Sequence, residues 1–122
     1  MLSRILDHSF KKADRILKRN EFIQLSKSGR KLHNEYFIVL YAPGQCDRSR
    51  LGITVTRKVG KAVRRNRIKR LIREYFRLNR HLLSGYWDII VIAKKEAADL
   101  SSDKIFDSLC DVFERISNRD RN

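Results

Sequence analysis

Hydrophobic positions along this chain change their spacing several times, and each change marks an element. Between Asn20 and Gly29, Phe22, Ile23 and Leu25 give a short helix one apolar side. Asn20 is expected to cap that helix, Glu21 to sit in its favourable first turn, and Gly29 to end it. The run Tyr36-Phe37-Ile38-Val39-Leu40-Tyr41 is aromatic and β-branched and predicts a strand, with Pro43-Gly44 turning the chain after it. In the next stretch Leu51, Ile53 and Val55 share one face, with Thr54 and Thr56 opposite. That is period two, a strand with one buried side. Two consecutive strands joined by a turn predict an antiparallel hairpin.

From Ala62 to about Asn79 the period becomes helical. Ile68, Leu71, Ile72, Tyr75 and Phe76 fall at i, i+3, i+4, i+7 and i+8. Ser84-Gly85 breaks that helix. Trp87 to Ala93 is nearly continuous in apolar residues, as an internal strand covered on both faces requires. Ser101 or Ser102 is expected to cap a last helix, with Asp103 in its first turn. Its buried stripe is Ile105, Phe106, Leu109, Val112, Phe113 and Ile116. A further short strand near residues 30 to 34 completes the reading. The simplest architecture is α+β, a single domain over 1–122 with one mixed sheet and helices packed on it. Residues 1 to 15 lack periodicity and read as a loose basic arm.

Composition narrows the class. In 122 residues, 28 Lys and Arg stand against 14 acids, a formal charge of +14. Such an excess repels itself, and a polyanion relieves it, nucleic acid first and an anionic membrane surface second. No segment reaches the roughly 18 apolar residues of a membrane helix. Arg4, Asp7 and His8 interrupt the N-terminus where a signal peptide needs an apolar stretch. A cytoplasmic protein with no membrane partner is expected. Cys46 and Cys110 lack the short spacings of a zinc site and read as free thiols.

The charge is local. Nine basic residues and no acid lie between Arg57 and Arg73: Arg57, Lys58, Lys61, Arg64, Arg65, Arg67, Lys69, Arg70 and Arg73. At about 100° per residue, Asn66, Lys69, Arg70, Arg73 and Arg77 cluster opposite the apolar stripe. Solvated helix faces usually mix signs, because like charges at i,i+4 destabilise a helix. A face built for phosphate explains the pattern better, with arginine forks for oxygens and Asn66 for a ribose or base. Gly60 lets backbone come close to a ligand, and the helix start favours anions. Charge alone does not choose between RNA and a DNA major groove.

The stretch Lys58-Val59-Gly60-Lys61-Ala62-Val63-Arg64-Arg65-Asn66-Arg67-Ile68-Lys69-Arg70-Leu71-Ile72-Arg73-Glu74-Tyr75-Phe76 resembles the RNR signature of the bacterial ribonuclease P protein family. Leu17-Lys18-Arg19 with Glu21-Phe22, Arg50 to Val55 and Trp87 to Lys94 resemble it in the same order. The resemblance implies the order α-β-β-β-α-β-α, with a left-handed crossover between parallel strands. It implies a protein subunit that binds the catalytic RNA and the 5′ leader of precursor tRNA, promoting the hydrolysis that frees the mature 5′ end. Mg²⁺ would act with the RNA subunit, which carries the catalytic centre. Arg57, Lys58, Lys61, Arg65, Asn66, Arg67, Lys69, Arg70 and Arg73 would contact the catalytic RNA. Phe22 would line the leader cleft between the first helix and the sheet. Ser26 departs from the second aromatic common there. Phe37 and Tyr41 share a parity and would line the cleft or the core, since a one-residue shift turns them over.

Two rivals remain in view. A protein-only nuclease needs an acid–base pair or clustered carboxylates around metal. His8, His33 and His81 are scattered and no DxD or DxE motif occurs, so no catalytic or metal-binding residue is expected in the protein. A structural RNA-binding protein, such as a ribosomal protein or RNA chaperone, fits size and charge equally well. The RNR stretch and a separate aromatic set favour the first reading, because they suggest two RNA surfaces.

Overall fold

The structure, a computed structural model, describes residues 10–44 and 47–121. Helix α1 (Arg19–Ser28) is followed by strands β1 (Arg30–His33), β2 (Phe37–Pro43) and β3 (Arg50–Thr54). Helix α2 (Ala62–Asn79), strand β4 (Trp87–Ala93) and helix α3 (Ser102–Arg121) complete the order α-β-β-β-α-β-α. The four strands form one mixed sheet in the order β1-β2-β4-β3. β1 with β2 and β2 with β4 run antiparallel, while β3 and β4 are parallel and α2 crosses between them.

The expected hairpin of β2 and β3 does not form, because β4 lies between them. Every residue of β4 except Ile92 is buried. A strand apolar on both faces is best satisfied in the middle of the sheet, where neighbours also pair both its edges. β3, with only five residues, takes an edge. Part of that edge is closed by the Ile16 N–H, which donates to the Leu51 carbonyl at 2.9 Å.

The sheet separates two apolar layers. On one face Phe37, Val39, Tyr41, Ile89 and Val91 pack against Ile68, Ile72 and Phe76 of α2 and Ile105, Leu109 and Val112 of α3. Each such side chain removed from water contributes roughly 1.5–3 kcal/mol. On the other face Ile16, Leu25 and Ile90 form a smaller cluster under α1, joined by half-buried Phe22, Leu40 and Ile92. The stripe predicted for α3 is the buried one, with Phe106 at its margin. The Ser101 hydroxyl accepts from the Lys104 N–H at 3.3 Å, capping α3.

Two local expectations change. Lys18 precedes the first turn of α1 and Asn20 lies inside it, so Asn20 is not the cap. The arm expected to be loose is ordered over Phe10 to Arg15. Lys12–Asp14 form a 3-10 turn, Asp14 is only 2% exposed, and Phe10 meets Phe76 edge-on at 5.8 Å. An ion-paired carboxylate, not apolar periodicity, holds this segment. Residues 1–9, with His8, and Cys46 lie outside the described residues. Cys110 is a free thiol whose Sγ lies 3.5 Å from Glu114 Oε1.

Candidate nucleic-acid interface

The approach to α2 is built for exposure of charge. Arg57–Val59 make one 3-10 turn with Val59 buried, which leaves Arg57 and Lys58 in solvent. Gly60 then adopts φ 148°, a region that L side chains rarely enter. A Cβ there would also stand 3.2 Å from Arg64 Cδ. Lys61 occupies the cap position of α2, makes no side-chain cap, and no acid lies in the first turn. Amides without a capping carboxylate, surrounded by cations, cost stability and favour an incoming anion.

Around α2 the cations are sorted by what they touch. Arg64 pairs with Asp99 at 2.8 Å, and Arg67 Nη2 donates to the Leu100 carbonyl at 2.9 Å. Both therefore turn toward the loop before α3. Arg77 is held by Glu74 at 2.6 Å. Arg65 folds back, Nε donating to the Gly60 carbonyl at 3.1 Å. Lys69, Arg70 and Arg73 have no carboxylate within ion-pair distance among the described residues. Asn66 is exposed one turn before Arg70. The predicted set is thus gathered at one end and one side of α2, with Arg67 partly committed to the fold.

The aromatic candidates separate. Phe22 lies half-buried on the sheet over Gly52, where an added Cβ would stand 2.8 Å from its Cζ. Phe37 and Tyr41 face the other way. Both are 0% exposed in the main core, and Tyr41 meets the Trp87 ring edge-on at 5.6 Å. They are not available to a leader, because β2 presents the opposite parity to α1. Ile38 and Leu40 take that face, registered with Ile92 and Ile90 of β4. Ser26 is exposed, its hydroxyl donating to the Ile23 carbonyl at 2.8 Å, so it supplies no apolar wall.

Two ionic anchors that sequence reasoning missed position these surfaces. Arg50 reaches Asp88 of β4 through two hydrogen bonds, 2.9 and 2.8 Å, and Glu21 of α1 at 2.7 Å. Hydrogen bonding to Asp88 and then Glu21 raises the Arg50 pKa against the opposing effect of burial. This tie fixes α1, and Phe22 with it, against the sheet. Asp14 pairs with Arg48 and Arg80, each at 3.1 Å, and accepts a hydrogen bond from the Lys11 N–H at 2.8 Å. Burial alone would raise its carboxyl pKa. The Lys11 N–H and the two guanidiniums outweigh burial and lower it. The available signal was a charged residue inside an apolar run, Asp88 in the strand beginning at Trp87. Asp14 carried no such mark.

Among the described residues no three His, Cys, Asp or Glu side chains come together to hold a metal ion. His33 and His81 are exposed on separate elements. No described helix is long and apolar enough to cross a membrane.

Comparison with known proteins identifies the family and the fold. The ribonuclease P family profile matches residues 10–117. The ribonuclease P protein component of Desulfosudis oleivorans is 52% identical over 109 residues, 89% of this chain and 90% of that protein. Its counterpart from Thermotoga maritima is 44% identical over 94 residues, 77% of this chain and 80% of that protein. The solved RNase P protein of Staphylococcus aureus superposes with a TM-score of 0.79 at 40% identity, covering 86% of this chain and 95% of that one. The solved Thermotoga maritima protein gives 0.77 at 40% identity, covering 84% and 96%. On the profile match and the identity to these relatives, the chain belongs to the ribonuclease P protein family.

Proposed function

We propose that this chain is the protein subunit that binds ribonuclease P RNA through α2 and the turn before it, and receives the 5′ leader of precursor tRNA on the α1 face of the sheet. The observation that carries the reading is the set Lys69, Arg70 and Arg73, cations without carboxylate partners among the described residues, on a helix whose opposite side is anchored in the core. Arg57, Lys58, Lys61, Arg65 and Asn66 extend that surface around the start of α2, and Arg67 adds the donors it does not spend on Leu100. Phosphate contacts of this kind supply affinity and register without reading sequence.

Phe22 offers a ring to an unpaired base, which suits a leader of varied sequence. Ile38, Leu40 and Ile92 provide the apolar remainder in place of Phe37 and Tyr41. The reaction promoted is hydrolysis of the phosphodiester at the mature tRNA 5′ end, with the chemistry in the RNA subunit. Mg²⁺ belongs to that RNA in this reading, and its charge stabilises the in-line displacement. The site of action is the cytoplasm.

Cleavage of precursor tRNA at low Mg²⁺, by bacterial ribonuclease P RNA with and without this protein, tests the proposal. Cleavage only with both present is expected. Salt-sensitive RNA binding without stimulation would leave a structural RNA-binding protein, and cleavage by the protein alone would overturn the division of labour.

A further inference from the structure

We infer that Arg64 is a further phosphate contact at the start of α2, and that Asp99 is an intramolecular stand-in for that phosphate which RNA must displace. The inference rests on the RNA-binding reading above. Among the described residues, Arg64 is the one cation from Arg57 to Arg73 that meets a carboxylate, its Nη1 lying 2.8 Å from Asp99 Oδ1. Asp99 belongs to the loop before α3, 35 positions further along the chain. The free protein thus already carries an anion on its basic helix start, and that anion is its own.

Both partners are held from below. The stem of Arg64 lies against Gly60, where an added Cβ would stand 3.2 Å from Arg64 Cδ and 3.5 Å from Arg64 Cβ. The loop carrying Asp99 is fixed to the same place. Its 3-10 turn, Lys95–Ala97, packs on the turn Arg57–Val59, with Ala97 and Val59 both buried. One turn along α2, Arg67 Nη2 donates to the carbonyl of Leu100, the residue after Asp99, at 2.9 Å. The backbone on each side of the ion pair is therefore ordered by other contacts, and Asp99 faces Arg64 whether or not the pair is closed. Lys95 and Glu96, the other exposed charges of this turn, are of opposite sign.

Exposure decides what the pair can do. The Arg64 and Asp99 side chains are 59% and 82% exposed. An ion pair so open to water shifts an equilibrium by about fivefold at most. A phosphate offers the same guanidinium more oxygens and releases a counterion, so it replaces the carboxylate. Asp99 is then left beside a like charge and opposes the new contact. Lys69, Arg70 and Arg73 have no such carboxylate to give up among the described residues, so Asp99 sets the affinity of one part of the helix and not of the rest.

Binding of the full chain to ribonuclease P RNA, titrated at several salt concentrations, tests this with a two-residue cycle. Asp99→Asn should tighten binding about fivefold. Arg64→Ala should weaken it and make the log–log salt slope shallower by about one. With Arg64→Ala already present, Asp99→Asn should tighten binding less than about twofold, because no pair remains to break. Asp103→Asn, which removes an exposed acid of α3, controls for net charge and should change affinity less than about twofold. Equal tightening by Asp99→Asn with and without Arg64, or by Asp103→Asn, would make Asp99 a general charge and overturn the inference. So would an unchanged slope in Arg64→Ala where Arg70→Ala makes it shallower. An unchanged slope in both arginine variants would remove RNA from α2 and overturn the proposed function itself.

Discussion

The Phe22 ring rests on Gly52, close enough that a methyl group at position 52 would stand 2.8 Å from Phe22 Cζ. One glycine in an edge strand therefore sets how deeply an aromatic of α1 sits on the sheet. Ile90 Cγ1 at 3.2 Å and Ile16 Cβ at 3.3 Å close the other directions, so the ring must give way. Gly52→Ala should push Phe22 outward, costing about 1–3 kcal/mol of stability as overpacking does. Chemical denaturation measures the loss. Affinity for leader-bearing precursor should fall more than affinity for mature tRNA.

Phe22 and Phe37 test which face of β2 serves the substrate. Phe22→Ala should weaken holoenzyme binding of precursor roughly 5- to 100-fold, the range for losing one base–aromatic stack, and spare mature tRNA. Phe37→Leu should cost about 1–1.5 kcal/mol of stability and leave the preference for precursor intact. Dissociation constants for the two tRNAs, measured beside thermal unfolding, decide between cleft and core. Equal losses for precursor and mature tRNA in Phe22→Ala would remove it from the leader surface.

The cations of α2 should divide by their partners. Arg70→Ala removes an unpaired guanidinium, so the log–log salt slope of binding to the catalytic RNA should become shallower by about one. Arg65→Ala should act in the same direction after its Gly60 contact is released. Arg77→Ala removes a charge already held by Glu74 and should change the slope least. Titrations at several salt concentrations measure it, and an unchanged slope for both Arg70→Ala and Arg65→Ala would exclude this face.

Asp14 anchors the N-terminal segment, and its titration gives that anchor a pH signature. Its folded pKa lies below the ordinary carboxylate value, so the unfolded chain binds the proton more readily. The stabilisation is fully present above about pH 4 and is lost as pH falls through the folded value. Asp14→Asn should lose about 3 kcal/mol, because it removes the buried charge on which Arg48 and Arg80 converge. It should also flatten the acid limb of stability against pH. An acid limb identical to wild type would show that Asp14 is not the titrating anchor.

Much of the fold is legible from single residues read in order. The helical spacing of Ile68 to Phe76 places α2 from Ala62 to Asn79 and opposes its charge to its core side. The unbroken apolar run from Trp87 to Ala93 identifies the central strand. For Phe37 and Tyr41 the choice of core over cleft was not legible in the sequence, for a definite reason. Alternation shows that a strand has two faces, but it does not say which layer each face meets. In β2 both faces are apolar, so no polar residue marks the solvent side.

Periodicity and charge density are local properties, so the elements, their order, the amphipathic RNR helix and the concentration of cations on it can be read residue by residue. The strand order, the parity of β2 and the sorting of the cations by partner emerge only on packing. Those depend on contacts such as Arg48 with Asp14 and Arg50 with Asp88, which lie 34 and 38 positions apart. Such pairs leave no periodic trace, and they form only when the packed sheet brings distant carboxylates and guanidiniums into one low-dielectric site.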